Sequence, residues 1–212
     1  KQALTLREKA LGPNHIVVAE SLMNLATVYD EEDQFDEALR LYYRALWIQL
    51  SVLGGQHPDV SKTLNNLGVV YSQGLGRHTE ALALLHSALD IRLDSLGEGH
   101  PETADTYDNI SNVFDEQGHS DDALVAGQRA LSIRLAALGE RHPDIALSHC
   151  NLACTLESLG RTQEARKEFG LALALQQEVL GESHEDVSST LQNLAALAAS
   201  EVRQHHTCVY MD

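Results

Sequence analysis

The sequence predicts an all-α fold of stacked antiparallel helical hairpins, and three observations lead to that prediction. A phrase of Leu-Gly, two variable residues and His occurs five times in the 212 residues, and its histidines are 42, 43, 42 and 42 residues apart. Two further phrases keep the same period. Alanine and leucine are abundant, whereas prolines number four and aromatic residues 5%, a composition that favours helices over strands. Such repetition is typical of architectures in which each repeat buries its apolar face against the next.

The first helix of each repeat, helix A, is predicted to begin at the recurring histidine. In three repeats Pro follows the histidine, and Pro is tolerated at the first helical position because its missing N–H would be unpaired there. An acid such as Asp59 or Asp144 comes next and suits the positive end of the helix dipole. The five histidines are His15, His57, His100, His142 and His184.

Both helices of a hairpin carry apolar residues at helical spacing. Helix A of the second repeat has Leu64 and Leu67 on one face, and helix B of the first repeat has Leu41, Ala45 and Ile48. Each repeat therefore reads as two amphipathic helices joined by a short polar turn.

Possible capping residues and glycines predict where helix B begins and ends. Asp36 and Asp121 stand where a carboxylate can cap a helix N-terminus. The glycine of the Leu-Gly step can adopt the left-handed backbone conformation that often ends a helix. The second repeat has one extra residue, which we expect in the turn at 74–76, because a turn absorbs an insertion with little loss of stability.

The period divides the chain into four complete hairpins with part of a hairpin at each end. Apolar faces at both ends would lack a neighbour, which favours a fragment of a longer protein and self-association through those ends. The tail breaks the pattern, and a cap, a linker and a disordered segment remain open for it. The predicted limits are a partial hairpin at 1–12, hairpins at 15–54, 57–97, 100–139 and 142–181, a half hairpin at 184–200, and the tail at 201–212.

Charge and cysteine content narrow the classes of function. The formal net charge is −16, from 15 basic and 31 acidic residues, so phosphate backbones and anionic lipid heads are repelled and neither nucleic acid nor membrane is expected as a partner. No apolar run reaches the length of a membrane helix. Three cysteines do not form a disulfide framework, which favours a reducing compartment such as the cytoplasm.

Neither an enzyme nor a metal or cofactor site is predicted. The repeated histidines are spread along the chain, whereas zinc needs four ligands around one point. Cys150 and Cys154 stand one helical turn apart and His205, His206 and Cys208 cluster in the tail, but buried thiols are the ordinary outcome for such residues. No nucleotide-binding loop and no nucleophile phrase is present.

The phrase Leu67-Gly68-x-x-Tyr71, followed by Ala81 and Ala88, resembles the tetratricopeptide repeat family. The long repeat of 42 residues is similar to that of kinesin light chains. The resemblance implies a right-handed α-solenoid that works as a non-catalytic scaffold, binding an extended or helical partner segment in a concave groove lined by helices A. It also makes cytoskeletal or ciliary association of a cytoplasmic protein conceivable. The alternative is a structural spacer or oligomerisation element of a larger protein or assembly.

The resemblance places one asparagine of every repeat on the groove wall, where an amide can donate to and accept from a peptide backbone. A structural hydrogen bond within or between repeats is the competing explanation. Neighbouring wall positions would set specificity, and because most of them are acidic we expect a partner segment that contains Lys or Arg. The asparagines are Asn24, Asn66, Asn109, Asn151 and Asn193. The neighbouring positions are Glu20, Lys62, Asn65, Asp105, Asp108, Asn112, Glu31, Gln73 and Glu116.

Overall fold

The computed structural model describes the backbone of residues 2–209 and the side chains of residues 2–200. All regular structure in this part of the chain is helical, as predicted. The α-helices are α1 (Gln2–Leu11), α2 (Ile16–Glu31), α3 (Phe35–Leu53), α4 (Pro58–Val69), α5 (His78–Ser95), α6 (Pro101–Glu116), α7 (Ser120–Leu138), α8 (Pro143–Ser158), α9 (Thr162–Leu180) and α10 (Glu185–Val209).

The chain divides into two compact units, a first unit at 1–98 and a second unit at 99–212. Helices α2 and α3, and α4 and α5, pair as hairpins in the first unit; α6 and α7, and α8 and α9, do so in the second. Helix α10 packs on α9 and continues to Val209, beyond the limit of 200 set from the sequence. The tail side chains from residue 201 onward lie outside the described residues.

Each helix A begins at its histidine, as the His-Pro step predicted. The imidazole itself is the cap: its Nδ1 accepts the backbone N–H two residues later, at 3.1 Å for His57 and 3.2 Å for His142. His15, His100 and His184 cap in the same way. The repeated histidine therefore satisfies one of the N–H groups that a helix start leaves unpaired.

The prediction that Asp36 or Asp121 caps helix B is wrong. Helices α3 and α7 begin at Phe35 and Ser120, one residue before each aspartate, and neither helix has a side-chain cap. Both aspartates lie in the first turn of the helix, where their charge still complements the dipole. The glycine stops are confirmed, since α3 ends before Gly54, which has φ of 82°.

The extra residue of the second repeat lies in a different kind of structure from the expected turn. The end of helix A widens into a π-helical turn over Val70–Gly74. One residue inserted into a helix produces such a turn when the flanking packing is kept. Gly74 is required there, because a Cβ at this position would come within 2.6 Å of the Phe35 ring.

Within each unit, the core lies between the helices of each hairpin and between successive hairpins. In the first unit the largest fully buried side chains are Tyr42, Leu22, Ile48 and Leu67. In the second unit Phe169 and Leu197 are buried with Leu152 and Ala153. Among the described residues no helix combines the length and apolar character needed to cross a bilayer.

Candidate functional site

Helices A expose one face in each unit, and these faces carry most of the predicted binding residues. We call the exposed face of α2 and α4 the first wall, and that of α6, α8 and α10 the second wall. Each wall contains a pocket where two successive helices A meet a helix B.

The first-wall pocket lies between α2 and α4 and has a volume of about 520 Å³. Four predicted binding residues come together here, two from each helix. It is lined by Ile16, Val17, Glu20, Met23, Asn24, Thr27, Gln49, Asp59, Lys62 and Asn66.

The floor of this pocket is Gln49 of α3, which is buried. Thr63 of α4 donates to Gln49 Oε1 at 2.6 Å and also approaches Met23 Sδ at 2.9 Å. The Thr63 hydroxyl of one helix A therefore bonds to the helix B glutamine and also contacts the preceding helix A. Because an unpaired buried amide is costly, these bonds hold the floor in place.

The second-wall pocket lies between α8 and α10 and has a volume of about 390 Å³. Gln176 of α9 takes the place of Gln49: its Oε1 accepts from Thr190 at 2.8 Å, and its Nε2 reaches Cys150 Sγ at 3.8 Å. The lining is Pro143, Asp144, Leu147, Cys150, Gln176, Asp186, Ser189, Thr190 and Asn193.

We call the contact of two successive helices A with the helix B between them a junction. The junction between α6 and α8 is built differently, because Arg134 of α7 stands in place of the glutamine. Its guanidinium donates to Asp105 at 2.7 Å and to Ser148 at 2.6 Å, and it forms a salt bridge with buried Asp108. Burial raises the pKa of Asp108 although the Arg134 charge lowers it. Arg134 Nε and Asp108 Oδ1 have no hydrogen-bond partner among the described residues.

These contacts follow two columns of residues that the sequence-based prediction missed. Five residues before the stop glycine, helix B always carries a long polar side chain, and six residues after the capping histidine, helix A always carries a hydroxyl. The sequence does contain a signal for these residues, because both positions recur with the period of the repeat. The columns are Arg7, Gln49, Arg92, Arg134 and Gln176, and Ser21, Thr63, Thr106, Ser148 and Thr190.

The five predicted asparagines lie on the walls with different surroundings. Asn24 and Asn193 are exposed at the two pockets, and Asn66 is half-buried in the first. Asn66 is also a hydrogen-bond partner of the buried Tyr42 hydroxyl, so this amide has a structural bond. Asn109 and Asn151 are half-buried on α6 and α8.

The predicted specificity residues divide into exposed and buried groups. Glu20 and Lys62 are exposed in the first-wall pocket. Asn65 and Asp108 are buried, and Asp105 is half-exposed but bonded to Arg134. Asn112 is half-buried on α6. The residues at the ends of helices A are exposed and line neither pocket; they are Glu31, Gln73 and Glu116.

The paired cysteines are poorly placed for chemistry. Burial raises the pKa of the Cys150 thiol, and burial together with nearby Cys150 raises that of Cys154 to about 11. Both thiols therefore stay protonated near neutral pH. Within the described residues no group of three or more His, Cys, Asp or Glu side chains could hold a metal ion. The predicted tail cluster lies outside the described side chains.

A second surface in the first unit is apolar. Tyr43, Trp47 and Leu50 are exposed at helical spacing on α3, Trp47 by 56%. The Tyr43 hydroxyl lies 2.8 Å from that of Tyr71, and the Arg77 guanidinium stacks 4.9 Å from the centre of the Tyr71 ring. Burial and the Tyr71 hydroxyl raise the pKa of Tyr43 to about 12.

Helical hairpins that repeat every 42 or 43 residues, with Gly68 packed against Leu85 where the two helices of a hairpin meet, define a tetratricopeptide repeat protein. The chain belongs to this family: a tetratricopeptide repeat model matches residues 1–51, 31–74, 59–136 and 144–205. The recognition made from the Leu-Gly-x-x-Tyr phrase is thereby confirmed. Repeats of this family generally act as non-catalytic scaffolds for protein–protein interaction.

Similar solved structures support the fold. BtubC (BKLC) from P. vanneervenii is 24% identical with a TM-score of 0.78, covering 99% of this chain and 84% of that one. A kinesin light chain-like protein with nearly identical repeats from Podosopora anserina is 23% identical with a TM-score of 0.75, covering 91% of this chain and 90% of that one.

Curated relatives share a shorter stretch. The clustered mitochondria protein homologs of Homo sapiens and Danio rerio are each 33% identical over 70 residues, which is 33% of this chain. The match spans 5% of the length of those proteins.

Proposed function

We propose that the chain binds an extended or helical segment of a partner protein along its walls, and that this segment carries Lys or Arg. The observation that carries the proposal is the pair of equivalent wall pockets, each edged by an exposed asparagine and by carboxylates. The amides of Asn24 and Asn193 form no hydrogen bond with another described residue, which leaves their donors and acceptors available to a peptide backbone.

Charge supports the basic character of the partner. With a net charge of −16, the chain attracts a cationic segment at long range, and carboxylates at the pockets give that attraction a place to act. Binding should therefore weaken as salt is added.

Selection from a random peptide library displayed on phage tests the proposal. The chain should enrich peptides with Lys or Arg, and a variant carrying Asn24→Ala and Asn193→Ala should lose them. Both changes remove exposed amides, so folding should be unaffected. The matched control carries Asn14→Ala and Gln128→Ala, which remove exposed amides outside the walls and should change nothing. Equal enrichment by both variants would show that the walls are not the binding surface.

The apolar stripe of Tyr43, Trp47 and Leu50 favours a second candidate, a structural element that assembles with another copy of the chain through α3. Isolated exposed apolar residues are ordinary, but three on one helix face are typical of a contact surface. Sedimentation velocity over a range of concentrations checks this candidate. A dimer lost in Trp47→Ser would support it, whereas a monomer at every concentration would exclude it.

A further inference from the structure

The two wall pockets occupy the same place in their repeats but present different chemistry. Glu20 of the first-wall pocket corresponds to Leu147 in the second, and Lys62 corresponds to Ser189. The first-wall pocket therefore carries charges of both signs. The second-wall pocket has carboxylates in its lining and no basic residue.

The carboxylates of the second-wall pocket, Asp144 and Asp186, come from the first turns of α8 and α10. His142 and His184 stand next to them, with Nδ1 3.6 Å and 3.5 Å from the carboxylate oxygens. Each Nδ1 accepts the backbone N–H of the neighbouring aspartate, so this ring nitrogen is engaged in capping the helix.

The rest of the pocket suits the hydrocarbon stem of a long side chain. Leu147 is 54% exposed and lines the pocket with Pro143. The floor consists of neutral groups, Gln176, Thr190 and Cys150, with Gln176 bonded to both of the others. Apolar stems pack on such surfaces while their charged heads stay near water.

We propose that the second-wall pocket is the subsite for a Lys or Arg side chain of the partner segment. The charged head lies between Asp144 and Asp186, and the methylene stem lies along Leu147. This inference rests on the proposed function, because it assumes that the partner lies on the walls. The first-wall pocket, where Lys62 accompanies Glu20, does not share this preference.

Two probes test the subsite: a short acetylated Ala-Ser peptide with one central arginine, and the same peptide with citrulline, which is nearly isosteric but neutral. Titration of the ¹⁵N-labelled chain by NMR should show the arginine peptide shifting resonances of residues that line the second-wall pocket. Citrulline should weaken binding by about tenfold, the size expected when charge-assisted bonds become neutral ones. This comparison uses the unaltered chain and does not depend on the folding of any variant.

A charge-matched pair of variants completes the test. Asp144→Asn with Asp186→Asn should reduce affinity for the arginine peptide by about tenfold. Asp121→Asn with Asp122→Asn, which removes exposed first-turn carboxylates from α7, should leave it unchanged. Wall binding that is equal for both peptides, or equal for both variants, overturns the subsite alone. Absence of shifts on either wall, together with failure of the library selection, overturns the proposed function as well.

Discussion

Two junctions of the second unit share one backbone plan and differ in what fills them. Between α6 and α8, Arg134 reaches Asp105, Asp108 and Ser148 and is 5% exposed at its side chain. Between α8 and α10, the shorter Gln176 occupies the corresponding place beside a pocket of about 390 Å³.

The difference shows how the residue at a single position of helix B determines which carboxylates of the wall remain unpaired. A guanidinium is long enough to pair with wall carboxylates, and it then withdraws them from any partner. Gln176 bonds instead to the Thr190 hydroxyl and the Cys150 sulfur, and the carboxylates at the edge of the pocket stay on the surface. Five predictions test this contrast.

Arg134→Gln should give the largest effect, lowering the free energy of unfolding by about 3–5 kcal/mol, because it leaves the Asp108 carboxylate buried without a counter-charge. Urea denaturation followed by circular dichroism measures the loss. Adding Asp108→Asn should recover more than half of it, since the buried charge is then gone. A loss below about 1 kcal/mol in the single variant would mean that the pair contributes little.

The same variant should respond to pH in a defined direction. Burial already raises the pKa of Asp108, and removal of the Arg134 charge should raise it further. A carboxyl whose folded pKa lies above its unfolded pKa gains stability as it is protonated. The loss in Arg134→Gln should therefore be full at neutral pH and shrink as the pH falls through the folded pKa.

Thr63→Val and Thr190→Val should each cost about 1–3 kcal/mol, because each removes the donor to a buried glutamine oxygen. The two glutamine junctions should respond alike if they are built on one plan. Thr79→Val, at an exposed position of α5, serves as the control and should change stability by less than about 0.5 kcal/mol. Unequal costs at Thr63 and Thr190 would contradict the equivalence of these junctions.

Every helix A has a histidine cap, so removal of the cap should cost the same stability in each repeat. His57→Ala and His142→Ala should each reduce stability by about 1 kcal/mol through loss of the cap bond. His86→Ala, an exposed change within α5, should have almost no effect. A much larger cost for one cap than for the other would reveal a further role for that histidine.

Transfer of the arginine junction into the first unit should have the smallest effect on stability. Met23→Asp with Gln49→Arg places an ion pair at the positions of Asp108 and Arg134, with Glu20 where Asp105 stands. A buried pair with good geometry roughly offsets its desolvation, so stability should change by about 1 kcal/mol or less. NMR titration with a peptide enriched in the library selection should then show no shifts at the first-wall pocket. If the first-wall pocket bound the peptide with unchanged affinity, the helix B residue would not determine which wall groups are available to a partner.

The sequence predicted the hairpins, the starts of helices A and the glycine stops well, because these features depend on neighbours along the chain. It failed where the outcome depends on packing. The insertion in the second repeat was expected in a turn, yet it widens the end of helix A, since Phe35 packs on Gly74 there. Asp36 and Asp121 were expected to cap, but helix B begins at Phe35 and Ser120, so each aspartate is already the second residue of its helix.

The wall acids show the same limit. Asp108 and Asp105 stand at wall positions of their repeat, and the sequence alone does not show that they, unlike Asp144, pair with a helix B arginine. Their distinction comes from Arg134, which is 26 residues after Asp108 and meets it only when α7 packs on α6.

By itself the sequence determined the period, the helical hairpins, the start of helix A at the histidine of every repeat and the membership of the tetratricopeptide repeat family. These follow from local bonds and from a pattern of apolar residues that every repeat shares. Only the tertiary structure decided which polar side chains remain on the walls and which are paired in the junctions. The physical reason is that burial and ion pairing depend on the distance between side chains on different helices, which helix packing sets.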